Sequence, residues 1–599
     1  MLSTPSPSLR TTNPCAIRSP RATMPKSFTG SGATAFGRPS EAASAAAPVP
    51  TSQVKATTHQ QTSNSRRIVG SPLIGSRGPD LLGVRPITNA ILRALLRQAV
   101  NPSPSRSRAG ASRERQPPGN GKDCCSLDIH LIAVGGTGMA PLACLLKGRG
   151  HRVRGSDQPL YPPMSTLLSE AGIDPRIGFD AEHLRPRPDL VVVGNAVRRH
   201  NPEAVAAERL GISRLSMPEA LARFFLRHRR PLVVAGTHGK TTTTALAAWV
   251  FSSCGADPSY LVGGVPHDLP RSFHDGTGER FIIEGDEYNA AYFDRGPKFL
   301  HYQPETLVLT SVEYDHADLY PDPAALIEAY ERLVQLVPED GLVAACGDTP
   351  ELRRVVGRAK CPVVFYGLDP ENDVHPAGPV RTDAGGSHFR IAERQAGEIE
   401  VALPLAGEHN VANALAVWAV ARRDGLSSEQ VAAGFRQFRG VKRRMEVVGA
   451  ARGVTVIDDF AHHPTAVGAT LWALRQRYPD RRLVAVFEPR TLSAGRRPFF
   501  AAYRRAFRVA DRVFLAPIFH AARIAAAERL DLGLLAGRLA DDGVKASACR
   551  RLEQLLEDLI AETREGDVVV IMSSGEFGRL PQRLLEALAE SSEGLLDQA

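Results

Sequence analysis

The run Gly236-Thr237-His238-Gly239-Lys240-Thr241-Thr242 stands directly after the apolar stretch Val233-Val234-Ala235 and before an unbroken helical pattern. These are the residue types a nucleoside triphosphate requires. Glycines let backbone N–H groups close on phosphate oxygens, the Lys240 ammonium reaches the β- and γ-phosphates, and the Thr241 hydroxyl can ligate Mg²⁺. The longer form of this turn would place its first glycine at 234, where Val234 stands. The turn is therefore of the shortened G-T-x-G-K-T kind, and it predicts ATP as a reactant.

Further clusters could work beside it. Glu284-Gly285-Asp286-Glu287-Tyr288 follows the apolar run Phe281-Ile282-Ile283, which sets acids at a strand's carboxyl end, where a metal would be met. His316 lies in Glu313-Tyr314-Asp315-His316, after another apolar run, and a neutral imidazole there can ligate metal. Asn410 and Asn413 are three apart, hence on one helical face, where carboxamides either read an adenine edge or cap the helix. Arg443-Arg444 reads as a phosphate-facing pair or a charged linker. Asp458-Asp459-Phe460-Ala461-His462-His463 follows a further strand.

The elements that must position these groups are strands alternating with helices. Strands are predicted over 128–134, 152–154 and 190–193, with Gly135, Gly136 and Gly138 in a tight turn before a helix from Met139. Asp157 comes about 20 residues after those glycines, the spacing of a dinucleotide fingerprint whose first glycine is replaced by Ala133. A second module opens with the strand 231–235 and the helix 241–252, and closes with a helix over 410–422. A third carries strands over 454–457, 483–487, 512–515 and 568–572 with helices between them. The pattern predicts three α/β modules in series, each with a parallel sheet.

Bulk properties narrow the partners. The net charge of +9 resides in residues 1–122, which hold seventeen Lys and Arg against three acids, while the rest of the chain is mildly acidic. A nucleic-acid footprint would need a basic face on the folded part, so no nucleic acid is expected. Residues 1–125 are rich in Ser, Pro, Ala and Arg and read as a disordered tail, with one amphipathic stretch over 87–100. The eight cysteines show no paired spacing, which suits a reducing cytoplasm. No apolar run reaches the roughly 18 residues that span a bilayer, so no membrane association is expected.

In their order and spacing, GTHGKTTT, EGDEY, EYDHAD, GEHNVANALA, GVKRRME and DDFAHHPT resemble the Mur ligases of peptidoglycan synthesis, from about residue 128 to about 590. The resemblance implies a Rossmann-like UDP-binding domain over 126–229, a central P-loop ATPase domain over 230–438 and a Rossmann-like peptide-binding domain over 439–599. Gly155–Ile173, Gly194–Glu203, Phe293–Tyr320 and Phe487–Thr491 are similar to one branch of the family. That branch joins the murein tripeptide L-Ala-γ-D-Glu-meso-diaminopimelate to UDP-N-acetylmuramate in peptidoglycan recycling; the alternative is the branch that adds L-alanine.

The resemblance carries roles onto these residues. Gly135, Gly136, Thr137 and Gly138 would cradle the UDP-N-acetylmuramate pyrophosphate, Asp157 would face the nucleoside, and Asn195, with Asn201, would meet the sugar. Gly236, Thr237, His238, Gly239, Lys240, Thr241 and Thr242 would bind ATP, with Asn410 and Asn413 at adenine, Arg444 at phosphate and Asp459 at ribose. Thr241 and Glu284 would hold one Mg²⁺ and His316 a second. The stretch Ala317–Ala359 contains no lysine, so no carbamylated lysine is expected. Arg490 and Glu576 would meet the peptide, and His238 would take the proton from the attacking amine. A monomer is expected.

Overall fold

The structure, a computed structural model, describes residues 126–314, 319–393 and 397–596. The expectations for the tail over 1–125 and for His316 lie outside these residues. Three sheets follow one another along the chain, built mostly from short apolar runs buried on both faces, as parallel strands covered by helices must be.

The first sheet takes β1 (Asp128–Ile132), β2 (Arg152–Asp157), β3 (Arg176–Ile177), β4 (Leu190–Val193) and β5 (Ser213–Ser216) in the order β3-β2-β1-β4-β5, all parallel. The predicted strand over 128–134 is two residues shorter, because Ala133 turns out of it with φ +63°. Left-handed backbone ends a strand, and it is costly for a residue with a Cβ. The turn then enters helix α1 (Met139–Gly148), almost all of whose side chains are buried.

In the second sheet β6 (Arg230–Ala235), β7 (Ser259–Leu261), β8 (Arg280–Gly285), β9 (Thr306–Leu309), β10 (Leu342–Cys346) and β11 (Val363–Tyr366) run parallel in the order β11-β10-β9-β6-β8-β7. A strand over 374–376 pairs parallel with β11, and strands over 381–383, 386–393 and 397–403 extend that edge through antiparallel pairings. The central strand β6 has β9 on one side and β8 on the other, so its carboxyl end opens into a crevice of the kind where α/β sheets bind ligands. Helix α2 (Lys240–Ser253) starts there, and helix α3 (Glu408–Arg423) packs against it. The hydrophobic core is continuous from the first sheet into this one, and Arg149 of the turn after α1 stacks 4.4 Å from the Phe225 ring while its Nε donates to Asp275 at 2.7 Å.

The third sheet runs β12-β13-β17-β14-β15-β16, from β12 (Glu446–Ala451), β13 (Val454–Asp459), β14 (Leu483–Phe487), β15 (Arg512–Leu515), β16 (Lys545–Ala548) and β17 (Val568–Met572). Only the β12–β13 pairing is antiparallel. Helix α4 (Pro464–Arg477) follows β13 and is capped by His463, which accepts from the Thr465 amide. The segment entering this sheet is held by backbone bonds from His267 to Gly440 and from Lys442 to Val265, and by the Arg439–Asp268 ion pair at 2.6 Å. Among the described residues no helix is long and apolar enough to cross a membrane.

Candidate active site

The phosphate turn forms because β6 ends against β9 with no room for side chains between them. Gly236 and Gly239 both have positive φ (+132° and +80°), and a Cβ on Gly236 would stand 2.2 Å from Thr310 Oγ1. The turn is braced from the end of β9: Thr237 N donates to Ser311 O at 2.9 Å, His238 N donates to Ser311 Oγ at 3.0 Å, and the Thr237 hydroxyl accepts from Glu313 N at 2.9 Å. Thr242 is buried in the first turn of α2.

Lys240 curls back over this turn. Its Nζ donates to Gly236 O at 2.7 Å and to Glu287 Oε2 at 2.8 Å. Burial disfavours the ammonium, but the carboxylates of Glu287, Asp286 and Glu284 outweigh it and raise its pKa. The register of β6 with β8 sets Val234 beside Glu284, which brings that carboxylate to the turn. Thr241 Oγ1 donates to Glu284 Oε2 at 3.1 Å and Gly263 N donates to Oε1 at 2.5 Å. Burial pushes the Glu284 carboxyl upward despite those bonds and despite Lys240 and Arg444 nearby. A desolvated carboxylate beside a hydroxyl is a set of hard oxygen donors that suits Mg²⁺.

The third domain contributes from the opposite wall. Arg444 Nη2 donates to Thr241 Oγ1 at 3.3 Å, and its guanidinium lies 4.6 Å from the Phe460 ring centroid. Asp459, expected at ribose, uses its carboxylate to accept from Met445 N at 2.7 Å, Ala461 N at 2.8 Å and Thr470 Oγ1 at 3.2 Å, which shapes the loop that carries Arg444. Asn410 and Asn413 are both buried at the start of α3. Neither is its N-cap, which is Gly407. Asn410 Nδ2 donates to Ala406 O at 2.9 Å, and Asn413 Oδ1 lies 2.6 Å from where a Gly239 Cβ would be, so this helix rests on the phosphate turn.

His238, Glu313 and His463 form a cluster beside the same turn. His238 Nε2 and His463 Nδ1 each lie 3.4 Å from Glu313 Oε2, which also accepts from Thr465 Oγ1 at 2.7 Å. The two imidazole rings are 4.9 Å apart. Burial opposes the Glu313 charge, yet the hydrogen bonds from His238 and Thr465 and the charge of the imidazoles hold its carboxyl down at about 2. His409 stands close by, and burial next to His238 lowers it to about 4, so it is neutral near pH 7.

The two peripheral sites are less assembled. In the first domain Gly136 and Thr137 are exposed in the turn before α1, with Gly135 and Gly138 half-buried. Asp157, expected at the nucleoside, accepts from Gly135 N at 2.7 Å and from Gln158 N at 2.7 Å, so it occupies one amide of the expected cradle. Asn195 is exposed in the turn after β4, whereas Asn201, expected at the sugar, caps the helix over 202–209 through the amides of Glu203 and Ala204. In the third domain Arg490 lies 3.8 Å over the Phe519 ring and donates to Glu488 Oε2 at 3.3 Å. Glu576 is exposed next to Gly575, which packs under the Arg490 guanidinium.

Arg443 and Arg444, which the sequence reads as a phosphate-facing pair or a charged linker, both lie over the Phe460 ring but bond different partners. Arg443 Nη2 donates to Ser573 O and Gly575 O, both at 2.6 Å, so it ties the interdomain linker to the loop after β17. Glu287, Glu313, His463 and Thr465 stand inside motifs that the sequence marks, without a role of their own there, and the Gly263-Gly264 turn lies outside those motifs. The available signal was positional: each directly follows a strand of the second or third sheet, where α/β ligand sites lie.

Three family models match the chain in series: the Mur ligase family catalytic domain over 128–229, the Mur ligase middle domain over 234–421 and the Mur ligase glutamate ligase domain over 443–575. A UDP-N-acetylmuramate--L-alanyl-γ-D-glutamyl-meso-2,6-diaminoheptandioate ligase of Escherichia coli strain K12 is 38% identical over 467 residues, covering 78% of this chain and 99% of the relative. A UDP-N-acetylmuramate--L-alanine ligase of Desulfitobacterium hafniense strain Y51 is 32% identical, covering 77% and 99%. The crystal structure of a murein peptide ligase from Psychrobacter arcticus 273-4 superposes with a TM-score of 0.59 at 32% identity, covering 78% of this chain and 99% of that one.

Proposed function

The chain belongs to the Mur ligase family and is an ATP-dependent ligase that forms a carbon–nitrogen bond on small-molecule substrates; we propose that it joins L-Ala-γ-D-Glu-meso-diaminopimelate to UDP-N-acetylmuramate, in the cytoplasm, during peptidoglycan recycling. The observation that carries this reading is the convergence of Lys240, Thr241, Glu284 and Arg444 on one phosphate turn between two domains. The higher identity to the tripeptide-adding relative than to the alanine-adding one favours the tripeptide as acceptor.

Two steps follow from this arrangement. The lactyl carboxylate of the muramyl nucleotide attacks the γ-phosphorus of ATP, giving an acyl phosphate and ADP. The α-amine of the tripeptide then attacks the acyl carbon, and phosphate leaves with the bonding pair. Lys240, which leaves Glu287 for the β/γ-phosphate oxygens, and Arg444, which swings from Thr241, stabilise the charge of the first step. Thr241 and Glu284 would hold Mg²⁺, which when bound neutralises phosphate charge. Asn410 and Asn413 face the adenine, and Asp459 keeps Arg444 in reach and meets the ribose. Gly135, Gly136, Thr137 and Gly138 receive the pyrophosphate at the start of α1, where the helix dipole favours an anion, with Asp157 giving up the Gly135 amide. Asp157 and Asn195 border that nucleotide, while Arg490 and Glu576 border the peptide. His238 accepts the proton that the attacking amine sheds.

Phosphate release is the discriminating assay. Protein supplied with UDP-N-acetylmuramate and ATP is expected to release phosphate on addition of the tripeptide and to stay near background with L-alanine. Release with L-alanine alone overturns the acceptor assignment.

A further inference from the structure

A cavity of about 550 Å³ opens beside the phosphate turn, between the end of β9, the helix over 323–335 and the amino end of α4. Its lining includes Glu313, Asp348, Glu351 and His463 among apolar side chains such as Tyr314 and Ile327, and among the described residues no lysine or arginine lines it. The Asp348 carboxylate is held by Leu368 N at 2.6 Å, Asp369 N at 3.1 Å and Asn372 Nδ2 at 2.7 Å, bonds that require it as an acceptor. A cavity with acids and no fixed cation repels carboxylates and attracts an ammonium.

The amine acceptor of this ligase carries both kinds of group. Its carboxylates suit the arginines of the third domain, but its α-nitrogen reaches the enzyme at neutral pH mostly as an ammonium and must come to the acyl phosphate at the phosphate turn. Glu313 stands where those requirements meet. Its backbone bonds Thr237 of the turn, its carboxylate faces His238 Nε2, and Thr465 of the third domain donates to the same oxygen. We propose that Glu313 is the docking carboxylate for the acceptor's α-ammonium at the mouth of this cavity, a binding role that rests on the ligase reading and is independent of which acceptor is used. The ammonium donates N–H to Glu313 and passes one proton to His238; its freed lone pair then attacks the acyl carbon to form the C–N bond, the C–O bond breaks with its electron pair going to phosphate, and the departing phosphate takes the second N–H proton.

The test separates the two half-reactions in the full-length enzyme. Hydroxylamine, a neutral nucleophile, traps the acyl phosphate as a hydroxamate without needing an ammonium site. Glu313→Gln keeps the shape and an acceptor for Thr465 but removes the charge. It is expected to raise the acceptor KM by at least about tenfold, the loss typical of one hydrogen bond to a charged group, while ATP-dependent hydroxamate formation changes by less than about threefold. Asp348→Asn, at the back of the same cavity, is expected to raise the acceptor KM more weakly. An unchanged acceptor KM, or hydroxamate and amide formation falling by the same factor, overturns the proposal, because either places Glu313 at the phosphate turn alone. If the unaltered enzyme takes L-alanine and not the tripeptide, the function above fails, and the Glu313 comparison is made with L-alanine.

Discussion

Gly575→Ala is predicted to act as a lesion of Arg490, which follows the neighbouring strand of the same sheet. A Cβ built on Gly575 would stand 1.9 Å from Arg490 Nε and 2.1 Å from its Cζ. The Gly575 backbone does not have positive φ, so alanine adopts it without strain, and the flexible guanidinium must give way. Arg490 then leaves its place 3.8 Å over Phe519 and its bond to Glu488. If Arg490 binds an acceptor carboxylate, that charge-assisted contact contributes about 1.5–3 kcal/mol, which is roughly 10- to 150-fold in acceptor KM. Steady-state kinetics with tripeptide varied would read it, alongside ATP KM, which should not move. Stability should fall by no more than about 1 kcal/mol, the scale of one partly exposed cation–π contact, as measured by thermal unfolding. The two lesions share one target, so Gly575→Ala combined with Arg490→Ala should be no worse than Arg490→Ala alone. A wild-type acceptor KM in Gly575→Ala, or losses that multiply in the double variant, refutes the link.

Lys240→Ala should lower kcat by about 100- to 1000-fold, the usual loss of one preorganised charge-stabilising group, in the phosphate-release assay, and should also lower the thermal unfolding midpoint because the buried Glu287 carboxylate loses its partner. Ala133→Gly should raise stability by about 1 kcal/mol, because glycine tolerates the φ of +63° that alanine holds there; an unchanged unfolding midpoint would deny the strain. Glu562→Gln should destabilise the protein by about 2 kcal/mol near pH 7, because it breaks a bidentate pair with the fully buried Arg512, whose Nε and Nη2 both lie 2.9 Å from the carboxylate. The Arg512 and Lys545 contacts hold the Glu562 carboxyl at about 2, below its unfolded value. Its contribution is therefore present above about pH 4.3 and lost as pH falls toward 2. Denaturant unfolding at pH 7 and pH 3 should show the variant's deficit shrinking at the lower pH, and a constant deficit would contradict the pairing.

What the residues disclosed and what they hid divides along a physical line. The strands over 190–193, 483–487, 512–515 and 568–572 have the bounds that periodicity predicts, because an apolar run buried on both faces is a local property of the chain. The phosphate turn is legible for the same reason: Gly236 and Gly239 are needed by the backbone of the turn itself. The polar partners were not legible, because they depend on register and on which domain faces which. Asp157 takes the Gly135 amide only because the register of β1 and β2 sets Ile132 against Ser156. Adjacent Arg443 and Arg444 point to different loops because both Arg443 and Met445 have positive φ, which twists the linker between them.

That same division explains why the acceptor side of the reaction is the harder half to read. The phosphate turn is one continuous segment, whose residues are neighbours in sequence. The proposed ammonium site is made of groups that only an assembled interface makes neighbours: Glu313 from the end of β9, His463 and Thr465 from the start of α4, and Asp348 from the end of β10. Glu313, His463 and Thr465 lie in the marked runs EYDHAD and DDFAHHPT, but nothing in the sequence says that the two runs meet. Thr465 and Glu313 share a hydrogen bond across two domains, so any motion that parts the domains also takes apart the proposed ammonium site. An acceptor that fills the cavity has more contacts in the closed arrangement, and closure in turn keeps water from the acyl phosphate while the amine arrives. With the proposed ammonium site on the domain boundary, amide formation would be coupled to closure.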